Sequence, residues 1–425
     1  MARSMMWTAA LALMWTGHSM DAADTSGNQT ADAAQALKSE AVAAPAWAPA
    51  VKPKPLSNNV HKGLKWLAHH QHESGGWGQG EESQHMGNSM AHLIDKPNVA
   101  DTCAAALAMI RSGSTPQQGQ YALNIRNAVD FVIGQVEAAD DESLFVTDMR
   151  NTRLQMKLGT YIDTFLASLL FAEVNGKMPE SSRKRFDAAF EKVMDKIERN
   201  QRADGTFGET GWANTLSYSL ASKGFNRAAQ VGRPVSESVR ERFEGYAQAQ
   251  YDQSSGKFSA AGSAGVDLYS SAANLSVMRD SDNTNQELRQ KAEQKRATAK
   301  SNEERQEAEK LIARIDTNEA QLQSAQQAVV KKLGDARFIA GFGSNGGEEF
   351  LSYMNIGESL VVAGGDEWTT WDKKITENLS QIQNADGSWT GHHCITGRTF
   401  CTSAALLVLM TDRAPVPIST KFKRQ

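Results

Sequence analysis

Residues 62–78 read KGLKWLAHHQHESGGWG. An amphipathic helix ends at Gln71, a glycine turn follows, and Trp77 closes the phrase two residues after Gly75. The phrase returns as NQRADGTFG at 200–208, with Gln201 and Phe207, and as QNADGSW at 383–389, with Gln383 and Trp389. A stretched copy, QYDQSSGKF, occupies 250–258 and ends on Phe258. Each copy is followed by a helix of small apolar residues, such as ADTCAAALAMI from Ala100. An internal repeat of this kind outranks any single motif in deciding a fold.

Working outward, the repeat divides the chain into about six helical hairpins, each with a polar outer helix and an apolar inner one. No hairpin can bury its apolar face alone, so the expectation is an all-α ring of inner helices inside a ring of outer helices. The glutamines and aromatics of the phrase read as structural, and Gly75, Gly205, Gly256 and Gly387 are expected at positive φ in the turns. Residues 280–320 interrupt the pattern. They are dense in Glu, Gln, Lys and Arg, and Ala308, Leu311, Ile312 and Ile315 keep helical spacing. This predicts a long helix or coiled-coil-like hairpin projecting from the body, either as a solvated spacer or as a docking arm for a protein partner.

The chain opens with Arg3, a short apolar run from Trp7 to Trp15, and the small residues Ala22 and Ala23. Residues 1–23 therefore read as a signal peptide, and the expected location is secreted or periplasmic. Residues 24–55 are rich in Ala, Ser, Thr and Pro and read as a disordered linker. The folded body is placed at 56–425. Lys and Arg total 45 against 49 Asp and Glu, a net charge of −4, which provides no general field for nucleic acid.

The phrases GLKWLAHHQHESGGWG, QRADGTFG and QNADGSW, with openings such as DTCAAALAM, resemble the prenyltransferase and squalene-oxidase repeat family. That family includes squalene-hopene cyclases, oxidosqualene cyclases and the β subunits of protein prenyltransferases. The resemblance spans residues 58–410 apart from the insertion. It implies an α/α toroid with a central cavity, and a terpenoid-cyclase or prenyltransferase type of activity on an apolar or isoprenoid-like small molecule. The alternative is a non-catalytic toroid that binds a lipid or a protein. Two absences in the sequence weigh against the enzyme: the Asp-x-Asp-Asp quartet of the cyclases, and a basic diphosphate-binding cluster. Asp140-Asp141-Glu142 is the nearest acidic run and falls in a hairpin turn.

The resemblance to protein prenyltransferases implies zinc held by an Asp-x-Cys and a His. Asp101-Thr102-Cys103 matches the first part, although Asp163-Thr164 opens another inner helix in the same way and both read equally well as N-caps. Of nine histidines and three cysteines, all except His18 lie in the first or last hairpin. A closed ring makes those hairpins neighbours. Asp101, Cys103, His393, Cys394 and Cys401 are therefore the candidate metal ligands at the seam, with Asp163 beside them at the cavity mouth. The rival reading is a disulfide among Cys103, Cys394 and Cys401 that staples the ring.

Overall fold

The computed structural model describes residues 47–86, 90–208, 210–343 and 345–417. The signal peptide and most of the linker expected from the sequence lie outside the described residues.

The chain enters through strand β1 (Trp47–Pro49) and then builds helical hairpins in order. The first pairs α1 (Asn58–His69) with α2 (Val99–Arg111), and the second pairs α3 (Ala122–Ala138) with α5 (Ile162–Val174) across the short α4 (Arg153–Lys157). The third pairs α6 (Glu180–Asn200) with α7 (Asn214–Gln230), and the fourth pairs α8 (Glu237–Ala249) with α9 (Asp267–Thr298). Between α8 and α9 the stretched phrase forms a two-stranded turn, β2 (Tyr251–Asp252) with β3 (Lys257–Phe258). The fifth pairs α10 (Asn302–Lys332) with α12 (Gly347–Ala363), with the short α11 (Ala336–Ala340) between them. The sixth pairs α13 (Gly365–Gln381) with α14 (Arg398–Leu409), and the chain leaves through β4 (Pro415–Pro417).

The inner helices α2, α5, α7, α9, α12 and α14 pack in that sequence, and α14 returns to α2. The ring is closed, and every residue of α5 is buried. Small residues permit the close approach: Ser168 of α5 lies where a Cβ on Gly224 of α7 would sit, 2.1 Å from its Oγ.

The repeated phrase is the bolt between hairpins. Gln71 donates from Nε2 to the carbonyls of Gly75 and of Asn124 in the first turn of α3, at 2.7 and 2.9 Å. Gln201 reaches Gly205 and Val239 of α8 in the same way, at 3.2 and 3.4 Å. Trp77 and Trp389 are fully buried, and each indole Nε1 donates to an outer-helix carbonyl, Leu67 or Leu379, at 2.8 Å. Each tryptophan's backbone N–H donates at 2.9 Å to a threonine hydroxyl of the following inner helix, Thr102 or Thr402. Gly75 sits at φ +90 and Gly387 at φ +95, where an L side chain is strained. A Cβ on Gly75 would stand 2.3 Å from the Asn127 carbonyl oxygen, so the turn depends on glycine.

Two expectations need correction. The linker placed at 24–55 does not extend to residue 55. β1 pairs antiparallel with β4, Ala50 is buried, and the Lys54 backbone N–H donates to Asp412. Prolines lack a ladder donor, but a two-stranded edge tolerates them. Nor does the insertion leave the body at residue 280. α9 continues straight through it, residues 280–285 are buried, and distant partners satisfy Asp280 and Asn285. Lys223 holds Asp280 at 2.8 Å, and Asn285 bridges Arg240 and Glu244 at 2.8 and 2.6 Å. Beyond that point α9 and α10 run as a hairpin, tied by ion pairs such as Lys295 with Glu307 at 2.8 Å.

Candidate functional site

The inner helices run in the same direction, so their N-termini converge on one face, the mouth. Acidic residues stand in the first turns of four of them: Asp101, Asp163, Asp267, and the pair Glu348 and Glu349. The positive ends of the helix dipoles favour carboxylates there.

Below the mouth the axis is filled. Leu107, Leu166, Leu220, Met354, Phe400 and Leu407 from five inner helices line a cavity of about 20 Å³, roughly the space of one ordered water. At its far end Arg111 meets Glu358 at 2.7 Å, and Lys223 bridges Glu358 and Asp280 at 2.8 Å each.

The mouth itself is chemically mixed. Glu348 and Glu349 are completely buried. Glu348 accepts from the Ile395 backbone N–H at 3.3 Å. Burial, and then the neighbouring Glu349, push its carboxyl up to about 8. Glu349 is also raised by burial, against the opposing effects of the Tyr269 hydroxyl and His393. It accepts from that hydroxyl and from the Phe342 backbone N–H. His393 brings Nε2 to 3.6 Å from Glu349, and its ring lies edge-on to Phe342. Phe342 in turn meets Trp212, which lies under Lys157. Backbone bonding joins Trp212 to Met156.

Residues 50–216 match the family model of the prenyltransferase alpha-alpha toroid domain. That segment is similar to the prenyltransferase alpha-alpha toroid domain, and the all-α ring agrees with the likeness. The matched segment covers the first two hairpins and enters the third, and the remaining inner helices complete the same toroid. No curated protein shows significant similarity to the chain.

The residues singled out from the sequence fall at the toroid's mouth but do not form one site. Asp101 and Asp163 are buried neighbours: Asp163 accepts from the Ala100 backbone N–H at 3.0 Å and from Gln155 Nε2 at 2.7 Å. Neither is an N-cap. Asn98 caps α2, and its side-chain amide binds Asp101 at 2.7 Å. Burial raises Asp101 to about 7, with Asp163 adding to the rise. The disulfide reading is corrected, because Cys103, Cys394 and Cys401 are all free thiols. Burial lifts all three above the ordinary thiol range, Cys394 to about 11. Cys401 donates weakly to the Ile395 carbonyl at 3.4 Å.

The proposed ligand set also needs correction. Among the described residues the group of three with donor atoms within 4.8 Å of one another is Glu348, Glu349 and His393. Asp101, Cys103, Cys394 and Cys401 stand outside it. The signal for the glutamates was present in GGEEF, an acidic pair at the same helix-start position as Asp101 and Asp163.

Proposed function

We propose that this toroid is an exported, non-catalytic binding protein that takes an apolar segment of a protein partner at its mouth. One observation carries the reading: an exposed apolar patch sits over a filled axis. Met156, Trp212 and Phe342 are 38%, 41% and 50% exposed, and they are three of the five large hydrophobic side chains exposed among the described residues. They adjoin one another, and a gathered patch marks an interaction surface more strongly than scattered single residues do. The filled axis argues against the isoprenoid reading. Small-molecule pockets usually enclose roughly 300–1,000 Å³, far more than the 20 Å³ found here. None of the five exposed side chains lies on the α9–α10 arm, so the mouth is favoured over the arm for docking. Export rests on residues 1–23.

A photo-crosslinking residue at position 212 or 342, with position 123 as the exposed control, tests this in producing cells. A discrete protein adduct from 212 and 342 and none from 123 is expected. Equal adducts from all three positions would overturn the reading, as would turnover of a polyene or prenyl diphosphate by the purified protein. A second reading, an enzyme working at the mouth, is favoured by the buried Glu348 and Glu349 beside His393.

A further inference from the structure

Two carboxyl groups buried side by side are costly unless something is shared between them. Glu348 Oε1 and Glu349 Oε2 are buried and have no hydrogen-bond partner, while the other oxygen of each residue is held by the protein. A binding site has this arrangement: one oxygen of each carboxylate is anchored and one is left over. His393 completes the group, and the three donor atoms lie within 4.8 Å of one another.

The glycine-rich loop AGFGSNGG, at 340–347, clears the space. Gly341 sits at φ +60, and a Cβ there would stand 2.5 Å from Glu349 Oε1. A Cβ on Gly346 would stand 3.0 Å from Glu349 Oε2 and 3.3 Å from the His393 ring. A side chain at either position would crowd the carboxylate or the imidazole.

We infer that Glu348, Glu349 and His393 form a binding site for one divalent first-row transition-metal ion. Two carboxylate oxygens and one imidazole nitrogen suit zinc, manganese or cobalt, whereas magnesium and calcium favour all-oxygen sets. Three protein ligands leave a coordination position open. The anchoring donors fix the carboxylates: Tyr269 and the Phe342 backbone N–H on Glu349, and the Ile395 backbone N–H on Glu348. The His393 side chain is 15% exposed, which gives an ion its way in. A bound cation offsets the repulsion between two carboxylates buried side by side.

The test is titration of the full chain, stripped with chelator, with Co²⁺ and then Zn²⁺, read by visible absorption and calorimetry. The expected result is saturable binding of one Co²⁺ per chain with a ligand-field band and no thiolate charge-transfer band. Glu348→Gln and His393→Ala should each weaken binding at least about tenfold, and Cys394→Ser should leave it unchanged. Circular dichroism checks folding, and His393→Ala, in a partly exposed loop, carries the test if Glu348→Gln fails to fold. The inference is overturned by any of three results: no saturable binding at millimolar metal, affinity unchanged in the folded variants, or a thiolate band lost in Cys394→Ser. Crosslinking at position 212 reads the mouth patch independently of metal, so the two ideas can fail separately.

Discussion

Gln383 donates from Nε2 to the carbonyl of Asn59 at 2.9 Å, across a separation of 324 residues. The same amide reaches Gly387 at 2.8 Å. Gln71 makes the matching pair of bonds within the ring, so one device both joins adjacent hairpins and closes the ends. Gln383→Ala leaves the two carbonyls without this donor and should cost about 1–2 kcal/mol. Gln71→Ala should cost a similar amount, but only Gln383→Ala should accelerate hydrogen exchange at the start of α1. Equal exchange in both variants would show that the seam is held elsewhere.

Trp389 combines complete burial with an indole hydrogen bond to Leu379. Trp389→Ala opens a cavity beside Gly63 and Leu406, where a Cβ on Gly63 would stand 2.8 Å from the Trp389 ring. Urea denaturation should show a loss of about 3–5 kcal/mol. Trp389→Phe keeps most of the volume and should lose distinctly less. If the two variants lost equal stability, the hydrogen bond rather than the packing would be the main contribution.

The ring was legible in the sequence because its bolts are specified by residue type. Only glutamine offers the amide that Asn59, Asn124 and Val239 receive, and only glycine accepts the turn geometry at Gly75 and Gly387. The buried polar features were not legible. Asp280 and Asn285 read as part of a solvated run because their partners, Lys223, Arg240 and Glu244, stand at least 40 residues away in sequence. The burial of Glu348 and Glu349 is not written in GGEEF, because it depends on a loop and on α9 packing over them. The filled axis was equally hidden, since the size of a central cavity is set by side chains from five separate helices.

Asp101 gives one pH dependence. Burial raises its carboxyl to about 7 in the folded chain, from an ordinary value of 3.8. The folded state therefore holds this proton more tightly than the unfolded state does. The contribution is complete below about 4 and is lost as the pH rises through about 7. Wild-type stability should carry this downward component across neutral pH, and Asp101→Asn should remove it. Melting temperatures from pH 4 to 8 check the slope. An unchanged slope in Asp101→Asn would mean that Asp101 is ionised throughout.

Glu358 gives the opposite sign. It is buried at the far end of the axis, where burial opposes its charge, but Lys223 and Arg111 outweigh that and hold its carboxyl well below the usual range. The unfolded chain takes up this proton first on acidification. The stabilisation is thus present above about 4.5, the ordinary value, and is lost as the pH falls toward the depressed folded value. Glu358→Gln leaves Arg111 without its carboxylate and Lys223 with Asp280 alone. Removing one partner from a buried charge group costs about 3–5 kcal/mol, so the variant should be destabilised by about that much at pH 7. The gap from wild type should narrow as acid is added, because the unfolded wild-type chain then takes up the proton that the folded chain excludes. Lys223→Met should be less harmful in the Glu358→Gln background than alone, since alone it takes a cation from two buried carboxylates and in the double variant from Asp280 only. Chemical denaturation of the four proteins at pH 7 and pH 4 gives the coupling directly, and additive losses at both pH values would show that the cluster does not act as a unit.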